Sequence, residues 1–259
     1  MSTFCILITA TIDPKGMSFT RRKNPKLREN DYIVALERLL SVCQYPVVFS
    51  ENSGSDTSRI EAVFKKFPQV PYEIIEYPDG QNFPRHLGKG YGETLAIRNA
   101  INNSKLILDS KYVVKFTGRY IIENLKDILG DLEKEGDFMI ASTFDRNITY
   151  TWSLFFVAKI SFLEKYLLPL QDKINDSERK SMEAVLYDAI TMAMADGEQC
   201  IPIRRTAILT GISGTWNAKV NPIDHYKVKM SVAKVIIFMR KYTKAIIRRI
   251  KIISGKIKQ

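Results

Sequence analysis

Short apolar runs and segments with helical spacing alternate through the first third of the chain. The runs at residues 4–9, 45–49 and 71–77 are rich in the side chains that favour β-strands. Between them, residues 31–42 and 60–67 carry apolar side chains at helical spacing. Because strands that alternate with helices are joined by crossover connections, they lie side by side in parallel. The pattern therefore predicts an α/β fold built on a parallel, doubly wound sheet.

The remaining chain continues this alternation less regularly. A loop rich in Gly and Pro is predicted at residues 78–92. Beyond it the pattern predicts strands at residues 112–116, 137–143 and 149–157, helices at residues 93–102, 125–132, 161–168 and 177–195, and a last strand within residues 201–209 that closes the sheet. The sequence has no internal repeat and no low-complexity segment, which favours one domain.

Positive charge is concentrated at the C-terminus. The 259 residues carry a net charge of +11, and residues 227–259 contain eleven Lys or Arg and no Asp or Glu. Without that segment, positive and negative charges balance. We therefore divide the chain into a neutral domain at residues 1–226 and a basic tail at residues 227–259.

The basic tail has the periodicity of an amphipathic helix. On a helical wheel, residues 230–253 place most of their apolar side chains on one broad face and most of their Lys and Arg on the opposite face. This combination is typical of a helix that lies on an anionic membrane surface. A helix docked on the domain is an alternative. Nucleic-acid binding is a second alternative, but it needs no apolar face, so we expect no nucleic-acid partner.

The cysteines and the N-terminus indicate a compartment. Cys5, Cys43 and Cys200 are far apart, and their odd number suits no complete disulfide scheme, which favours a reducing environment. The N-terminal apolar run is too short for a signal peptide and no basic residue precedes it. We expect a cytoplasmic domain that the tail attaches to the inner face of the cell membrane.

Polar residues follow three predicted strands at the edge where α/β sheets bind ligands. Asp13 follows the first strand, the segment Glu51-Asn52-Ser53 follows the second, and the segment Lys115-Phe116-Thr117-Gly118-Arg119 ends the strand at residues 112–116. The planar guanidinium of Arg119 suits two hydrogen bonds to a diphosphate or a carboxylate. A salt bridge within the chain is the alternative.

Several chemical motifs are weak or missing. The segment Gly88-Lys89-Gly90-Tyr91-Gly92 precedes a helix and suits phosphate binding, but it matches neither common nucleotide motif, and a flexible connection explains it equally well. His86 and His225 are isolated, so no metal site is expected. The chain also lacks Asp-x-Asp, and the segment Asp176-Ser177-Glu178 is interpreted as the start of a helix.

Five segments, taken together and in order, resemble a group of bacterial glycosyltransferases encoded with lipopolysaccharide and capsule assembly. The resemblance is strong over about the first half of the domain, and the second half matches only in its order of strands and helices. The segments are Thr9-Ala10-Thr11-Ile12-Asp13-Pro14, Arg28-Glu29-Asn30-Asp31-Tyr32, Phe49-Ser50-Glu51-Asn52-Ser53-Gly54, Gly88-Lys89-Gly90-Tyr91-Gly92-Glu93 and Lys115-Phe116-Thr117-Gly118-Arg119-Tyr120.

The resemblance implies a GT-A-like, Rossmann-like fold and a nucleotide-sugar donor. GT-A enzymes usually carry Asp-x-Asp where this chain has Thr117-Gly118-Arg119. The difference suggests that cationic side chains replace a divalent metal at the leaving diphosphate. The residues predicted to bind the donor are Thr9, Thr11, Asp13, Glu51, Asn52, Ser53, Lys89, Gly90, Lys115, Thr117, Gly118 and Arg119.

The same resemblance places a catalytic base near the start of the helix that follows the acceptor-side strand. An inverting transfer needs a carboxylate that takes the proton of the acceptor hydroxyl. Of the acids in the predicted helix at residues 177–195, Glu183 is favoured over Glu178 and Asp188 because it lies beside Met182 and Val185. A surface acid paired with Arg179 is the alternative interpretation of Glu183. Asp145 is the reserve candidate.

These observations predict a glycosyltransferase that moves a sugar from a nucleotide sugar to a lipid-linked or glycan acceptor of lipopolysaccharide or capsule. Two alternatives stay open. One is a non-catalytic α/β module that binds a membrane or a partner, and the other is a nucleotide-dependent methyltransferase. Failure to bind nucleoside diphosphates would favour the module, and binding of S-adenosylmethionine would favour the methyltransferase.

Overall fold

A seven-stranded sheet lies between two layers of helices in the computed structural model, which describes residues 2–144 and 150–220. Its strands are β1 Ser2–Ala10, β2 Val47–Glu51, β3 Tyr72–Glu76, β4 Ser110–Thr117, β6 Ile140–Ser142, β7 Phe155–Ala158 and β8 Cys200–Pro202. The short strands β5 Tyr120–Ile122 and β9 Leu209–Gly211 pair separately as an antiparallel ribbon.

The sheet is mainly parallel. The strand order is β3-β2-β1-β4-β7-β6-β8. β1 pairs in parallel with β2 and β4, β2 pairs in parallel with β3, and β6 pairs in parallel with β8. β7 is antiparallel to both of its neighbours. The predicted α/β fold with a mostly parallel sheet is confirmed.

Helices cover both faces of the sheet. They are α1 Pro25–Leu40, α2 Ser58–Lys65, α3 Gly88–Asn103, α4 Lys105–Leu108, α5 Leu125–Leu132, α6 Ile160–Phe162 and α7 Met182–Ala195. α1, α2 and α5 share one apolar core with the sheet, and α3, α4, α6 and α7 share the other. Alternate side chains of β1 enter different cores, because a strand presents successive residues to opposite faces. This burial on both faces explains why the first strand is a continuous apolar run.

The glycine-rich segment at residues 88–92 is helical, so the prediction of a loop across residues 78–92 is wrong at its C-terminal end. α3 begins at Gly88, after a 3₁₀ turn at Arg85–Leu87. A Cβ at Gly90 would lie 2.9 Å from the Cβ of Met182, and one at Gly92 would lie 2.8 Å from the ring of Phe83. The glycines therefore serve close packing of the helix start rather than loop flexibility.

The second half of the chain departs further from the sequence pattern. The strand predicted at residues 149–157 is shortened to β7, and the run at residues 201–209 contributes only its start to the sheet, through β8. The helix predicted from residue 177 begins at Met182, because Arg179 adopts the left-handed region with φ of 59° and separates a 3₁₀ turn at Asp176–Glu178 from α7.

The basic tail at residues 227–259, with its amphipathic segment at residues 230–253, lies outside the described residues. Its boundary with the domain, after residue 226, lies outside them as well. None of the helices that the structure does describe combines the length and the apolar character needed to cross a membrane.

Candidate active site

A cavity of about 280 Å³ opens at the carboxyl ends of β1 and β4. Its walls come from those strand ends, from the loop after β1, from the first turns of α3 and α7, and from the turn at residues 214–215. Parallel α/β sheets bind their ligands at this edge, because the loops that follow neighbouring strands diverge there and leave a crevice. The cavity is therefore the candidate active site.

Arg119 is a buried cation in this cavity. The residue is 8% exposed, and its Nε has no hydrogen-bond partner within the described part of the chain. Nη1 donates to the carbonyl oxygen of Ile212 at 3.4 Å, and the rings of Tyr32 and Tyr120 lie 5.9 and 6.0 Å from the guanidinium carbon. No Asp or Glu among residues 2–144 and 150–220 forms an ion pair with it. Within the described residues, Arg119 therefore does not form the internal salt bridge that was the alternative prediction.

A second buried guanidinium, that of Arg28, lines the same cavity. Its Nε donates to the carbonyl oxygens of Thr11 and Ile12 at 2.8 and 3.1 Å, which fixes the loop after β1. Burial lowers the pKa of Arg28, an effect that Tyr32 partly opposes and that the nearby charge of Arg119 reinforces. Two like charges that disfavour each other in a low-dielectric site are stabilised by an anion between or beside them.

Lys89 and Gly90 reach the cavity from the first turn of α3. Lys89 is exposed, and its ammonium donates to the hydroxyl of Thr215 across the cavity mouth. Gly90 presents backbone near the helix N-terminus, where amide dipoles favour negative charge. Both residues therefore lie where a phosphate of a bound nucleotide would find positive charge.

Asn52 connects three of the segments that form the cavity. Its Oδ1 accepts hydrogen bonds from the hydroxyl of Thr11 at 2.6 Å and from Nε2 of Gln81 at 3.1 Å, and its Nδ2 donates to the carbonyl oxygen of Gly92 at 3.0 Å. Thr11 and Asn52 both line the cavity. They are placed to contact a ligand and to hold the loop after β1 against α3.

Asp13, Glu51 and Ser53 do not line the cavity. Glu51 is fully buried, and its two oxygens accept hydrogen bonds from the backbone of Ile12 and from the backbone and hydroxyl of Ser53. Ser53 in turn receives the backbone N–H of Asp13 at 3.0 Å. The contacts described here serve the loop structure beside the site, and a direct role in donor binding stays a prediction for these three residues.

Gly118 and Lys115 lie at the end of β4 beside the cavity and do not line it. A Cβ at Gly118 would lie 2.2 Å from Cγ2 of Ile8, so glycine is needed where the end of β4 passes β1. Lys115 is fully buried, and its Nζ donates to Oε1 of Glu93 at 2.6 Å and to the carbonyl oxygen of Ser153 at 2.5 Å. Its charge is compensated by Glu93, so Lys115 is not available to a diphosphate in this arrangement.

Glu93 is the carboxylate at the floor of the cavity. Its Oε1 accepts hydrogen bonds from Lys115, from the hydroxyl of Thr9 at 2.7 Å and from the hydroxyl of Thr117 at 3.1 Å. Burial alone would raise the pKa of Glu93, but the ion pair with Lys115 and these hydrogen bonds outweigh it and hold the pKa below its usual value. Thr9, Thr117 and Glu93 all line the cavity.

Two further carboxylates, those of Glu183 and Asp176, line the cavity. Glu183 lies in the first turn of α7, and its Oε1 accepts a hydrogen bond from the hydroxyl of Ser153 at 2.6 Å. Asp176 lies against the start of α3, where a Cβ at Gly88 would collide with its carboxylate. Burial raises the pKa of Asp176; the positive charge of Lys89 opposes this rise and the negative charge of Glu183 adds to it.

The competing acids lie elsewhere. Asp188 forms an ion pair with Lys180 at 3.6 Å, and both side chains are nearly half exposed. Glu178 is exposed in the 3₁₀ turn before α7. Asp145 lies outside the described residues. The hydrogen bond of Glu183 goes to Ser153 and not to Arg179, which was the alternative partner.

Comparison with known proteins identifies the fold. No protein-family model matches the sequence, and a search of curated proteins finds no match. Among solved structures, the galactosyltransferase LgtC in complex with donor and acceptor sugar analogues superposes with a TM-score of 0.50, at 12% identity over 76% of this chain and 72% of that chain. The fold is GT-A-like.

Two other solved structures resemble the chain less closely in shape. The mannosyltransferase PcManGT from Pyrobaculum calidifontis, in complex with GDP-mannose and Mn²⁺, has a TM-score of 0.48 at 10% identity, over 77% of this chain and 54% of that chain. A cytidylyltransferase from Leptospira borgpetersenii has a TM-score of 0.47 at 15% identity, over 94% of this chain and 96% of that chain.

Within this GT-A-like fold, the described residues offer a poor set of metal ligands. They contain no group of three or more His, Cys, Asp or Glu side chains that could hold a metal ion together. Of the three carboxylates in the cavity, Glu93 is already paired with Lys115. The side chains of the described cavity therefore do not fit a divalent metal.

Sequence reasoning missed Glu93, Arg28 and Asp176 as cavity residues. Glu93 and Arg28 do stand within two of the segments that carry the family resemblance, which is the signal that could have found them. Asp176 had no such signal. It reaches the cavity because the 3₁₀ turn at Asp176–Glu178 packs against the start of α3, nearly ninety residues earlier in the chain.

Proposed function

We propose that this protein is a glycosyltransferase that takes its sugar from a nucleotide-sugar donor and passes it to a lipid-linked or glycan acceptor of lipopolysaccharide or capsule. The observation that carries the proposal is Arg119, a buried guanidinium at the ligand-binding edge of the sheet that pairs with no carboxylate among the described residues. An uncompensated buried charge is costly unless a ligand supplies its counterion. A diphosphate offers the required charge and geometry.

Further groups in the cavity support this proposal. As the acceptor oxygen bonds to the anomeric carbon, the bond from that carbon to the diphosphate breaks and negative charge grows on the leaving group. Arg119 and Lys89 would stabilise this charge. Glu183 would take the proton of the acceptor hydroxyl as the new bond forms, with its own orientation set by Ser153. A single displacement of this kind inverts the anomeric centre.

Metal-independent transfer is part of the proposal. Arg28, Arg119 and Lys89 place two buried charges and one exposed charge around the cavity. Cationic side chains can stabilise a leaving diphosphate in the way that a bound metal does. The charges available in the described residues thus favour cationic side chains over a divalent ion for this role.

The location of the reaction is proposed from the basic tail. Residues 230–253 would hold the domain on the anionic inner face of the cell membrane, where lipid-linked acceptors are presented. The support for this step is the charge and apolar pattern of the sequence. It is independent of the geometry of the cavity and is tested separately.

Nucleotide binding tests the proposal directly. Full-length protein would be screened by thermal shift against UDP-, GDP-, CMP- and dTDP-sugars, with and without chelator, and then assayed for transfer. We expect one nucleotide class to bind in excess chelator, and Arg119→Met to lower the transfer rate about a hundredfold, since losing a contact to a developing charge costs about 3 kcal/mol. Arg38→Met, which removes an exposed arginine paired with Glu123, is the matched control.

Four outcomes would contradict the proposal. Wild-type activity of Arg119→Met would remove its central observation. Complete loss of transfer in chelator, restored by manganese, would remove metal independence. Binding of S-adenosylmethionine, or of no nucleotide at all, would favour the methyltransferase or the non-catalytic module respectively.

A further inference from the structure

The carboxylate of Glu93 uses only one of its oxygens to hold the cavity floor together. Oε1 accepts hydrogen bonds from Lys115 at 2.6 Å, Thr9 at 2.7 Å and Thr117 at 3.1 Å. Three donors around one oxygen occupy its acceptor capacity. Oε1 is therefore fully occupied by donors of the chain.

The second oxygen, Oε2, differs from Oε1 in its surroundings. Oε2 receives no hydrogen bond from the described part of the chain, and it is not among the side-chain atoms sealed from solvent without a partner. The Glu93 side chain keeps 19% of its exposure, and the residue lines the cavity. An ionised oxygen that faces a cavity accepts hydrogen bonds from hydroxyl or amino groups.

The cavity thus presents two kinds of recognition. Arg28, Arg119 and Lys89 supply positive charge, whereas Glu93, Glu183 and Asp176 supply carboxylates. A ligand that suits both must carry an anionic part and a part rich in hydroxyl groups. A nucleotide sugar has this composition, with its charge on the diphosphate and its hydroxyls on the transferred sugar.

We propose that Oε2 of Glu93 accepts a hydrogen bond from a hydroxyl of the transferred sugar, so that Glu93 selects the donor sugar while Lys115 holds its carboxylate in place. This inference rests on the proposed function and deepens it. Lys115 is then a positioning residue, whose ammonium orients Oε1 and leaves Oε2 turned to the cavity.

The test separates recognition of the sugar from recognition of the nucleotide. Isothermal titration of full-length protein would compare UDP with UDP-glucose and UDP-galactose, GDP with GDP-mannose, and dTDP with dTDP-glucose. We take the nucleoside diphosphate and the matching nucleotide sugar that bind wild-type protein. Glu93→Gln should lower the affinity for the nucleotide sugar about tenfold or more, because one charge-assisted hydrogen bond is lost. The affinity for the nucleoside diphosphate should fall less than about twofold.

Two further variants control for folding. Glu93→Gln with Lys115→Met removes both charges, so no buried charge is left unpaired, and should show the same selective loss. Glu73→Gln changes a partly buried carboxylate on β3, outside the cavity, and should change neither affinity.

The outcomes distinguish the two proposals. Equal weakening of the nucleoside diphosphate and the nucleotide sugar in both Glu93 variants, or no weakening of either ligand, would overturn the role of Glu93 while leaving the transferase proposal intact. If wild-type protein binds none of these nucleoside diphosphates or nucleotide sugars, and no CMP-sugar either, the proposed function itself fails, and the role of Glu93 fails with it.

Discussion

Glu183 is the side chain on which the proposed chemistry depends most directly. It lies at the start of α7, lines the cavity and receives the hydroxyl of Ser153 at 2.6 Å. Glu183→Gln keeps the size of the side chain and removes its ability to take a proton. We expect transfer to fall by about a hundredfold or more while nucleotide affinity changes little, because general-base catalysis contributes roughly two to four orders of magnitude. Initial rates and nucleotide titration measure the two effects.

Asp188→Asn is the matched control for this prediction. Asp188 lies further along α7 and pairs with Lys180 on the surface, so its loss should leave the rate unchanged. Normal turnover in Glu183→Gln would reject Glu183 as the base. If Asp145→Asn were then inactive, the role would pass to Asp145.

The burial of Asp176 predicts how the stability of the protein depends on pH. Burial raises the pKa of Asp176 above its ordinary value of 3.8. The folded protein therefore binds this proton more tightly than the unfolded chain, and stability falls as the pH rises from 3.8 through the raised pKa. Asp176→Asn removes that loss, so we expect a higher melting temperature at pH 7 than in wild-type protein.

The pKa values of Asp176 also set the pH below which Asp176→Asn should no longer be more stable than wild-type protein. Below pH 3.8 the aspartate is protonated in both states, so the two melting temperatures should converge there. Melting curves at several pH values measure the difference. A variant that is less stable than wild type at pH 7 would show that the contacts of the carboxylate with Lys89 and the start of α3 outweigh its burial.

At the level of single elements, α3 joins the cavity to the rest of the fold. Because residue 90 is a glycine, the first turn of α3 packs closely against Met182 at the start of α7. The starts of both helices therefore line the same cavity. A Cβ at Gly90 would lie 2.9 Å from Cβ of Met182 and 3.2 Å from its backbone nitrogen. We expect Gly90→Ala to destabilise the protein by about 1–3 kcal/mol, since the backbones must move apart. Urea unfolding measures the change.

Gly130 in α5 is the control, because a Cβ there meets no atom of the described residues within 4 Å. Gly130→Ala should leave stability unchanged or raise it by about 0.5–1 kcal/mol, as alanine is the better helix former. Equal effects of the two substitutions would mean that helix propensity, and not close packing, governs Gly90.

For the whole molecule, the charge distribution predicts attachment to a membrane. Six Lys or Arg residues share the polar face predicted for residues 230–253, and each contributes about 1 kcal/mol near an anionic surface. Full-length protein should therefore sediment with vesicles that contain anionic lipid, and added salt should weaken this binding. A chain that ends at Tyr226 should stay in the supernatant.

Vesicles of neutral lipid are the control for the electrostatic part of this prediction. Equal partitioning of the full-length and shortened chains would exclude the tail as an anchor. Salt-insensitive binding of both chains would place any membrane contact within the domain instead.

The first half of the fold could be predicted from the sequence because its signals are local. Strands buried on both faces are continuous apolar runs, and α1, α2 and α5 each show the spacing of one buried face. The second half was harder to predict because its elements are short or irregular. β7 has four residues, and the chain from Ile160 to Lys173 passes through α-helical, π and 3₁₀ turns that no single period describes.

The candidate site was also predictable only where its signals are local in the sequence. The sequence by itself placed polar residues such as Arg119 at the ends of strands, because strand order and direction follow from a repeating local pattern. Only the tertiary structure decided that Lys115 forms an ion pair with Glu93 and that Glu51 accepts hydrogen bonds from a neighbouring loop. It also decided that Asp176 lines the cavity. Which charges pair and which stay free depends on distances between segments that are far apart in the chain, and such distances exist only after the sheet and both helical layers have packed.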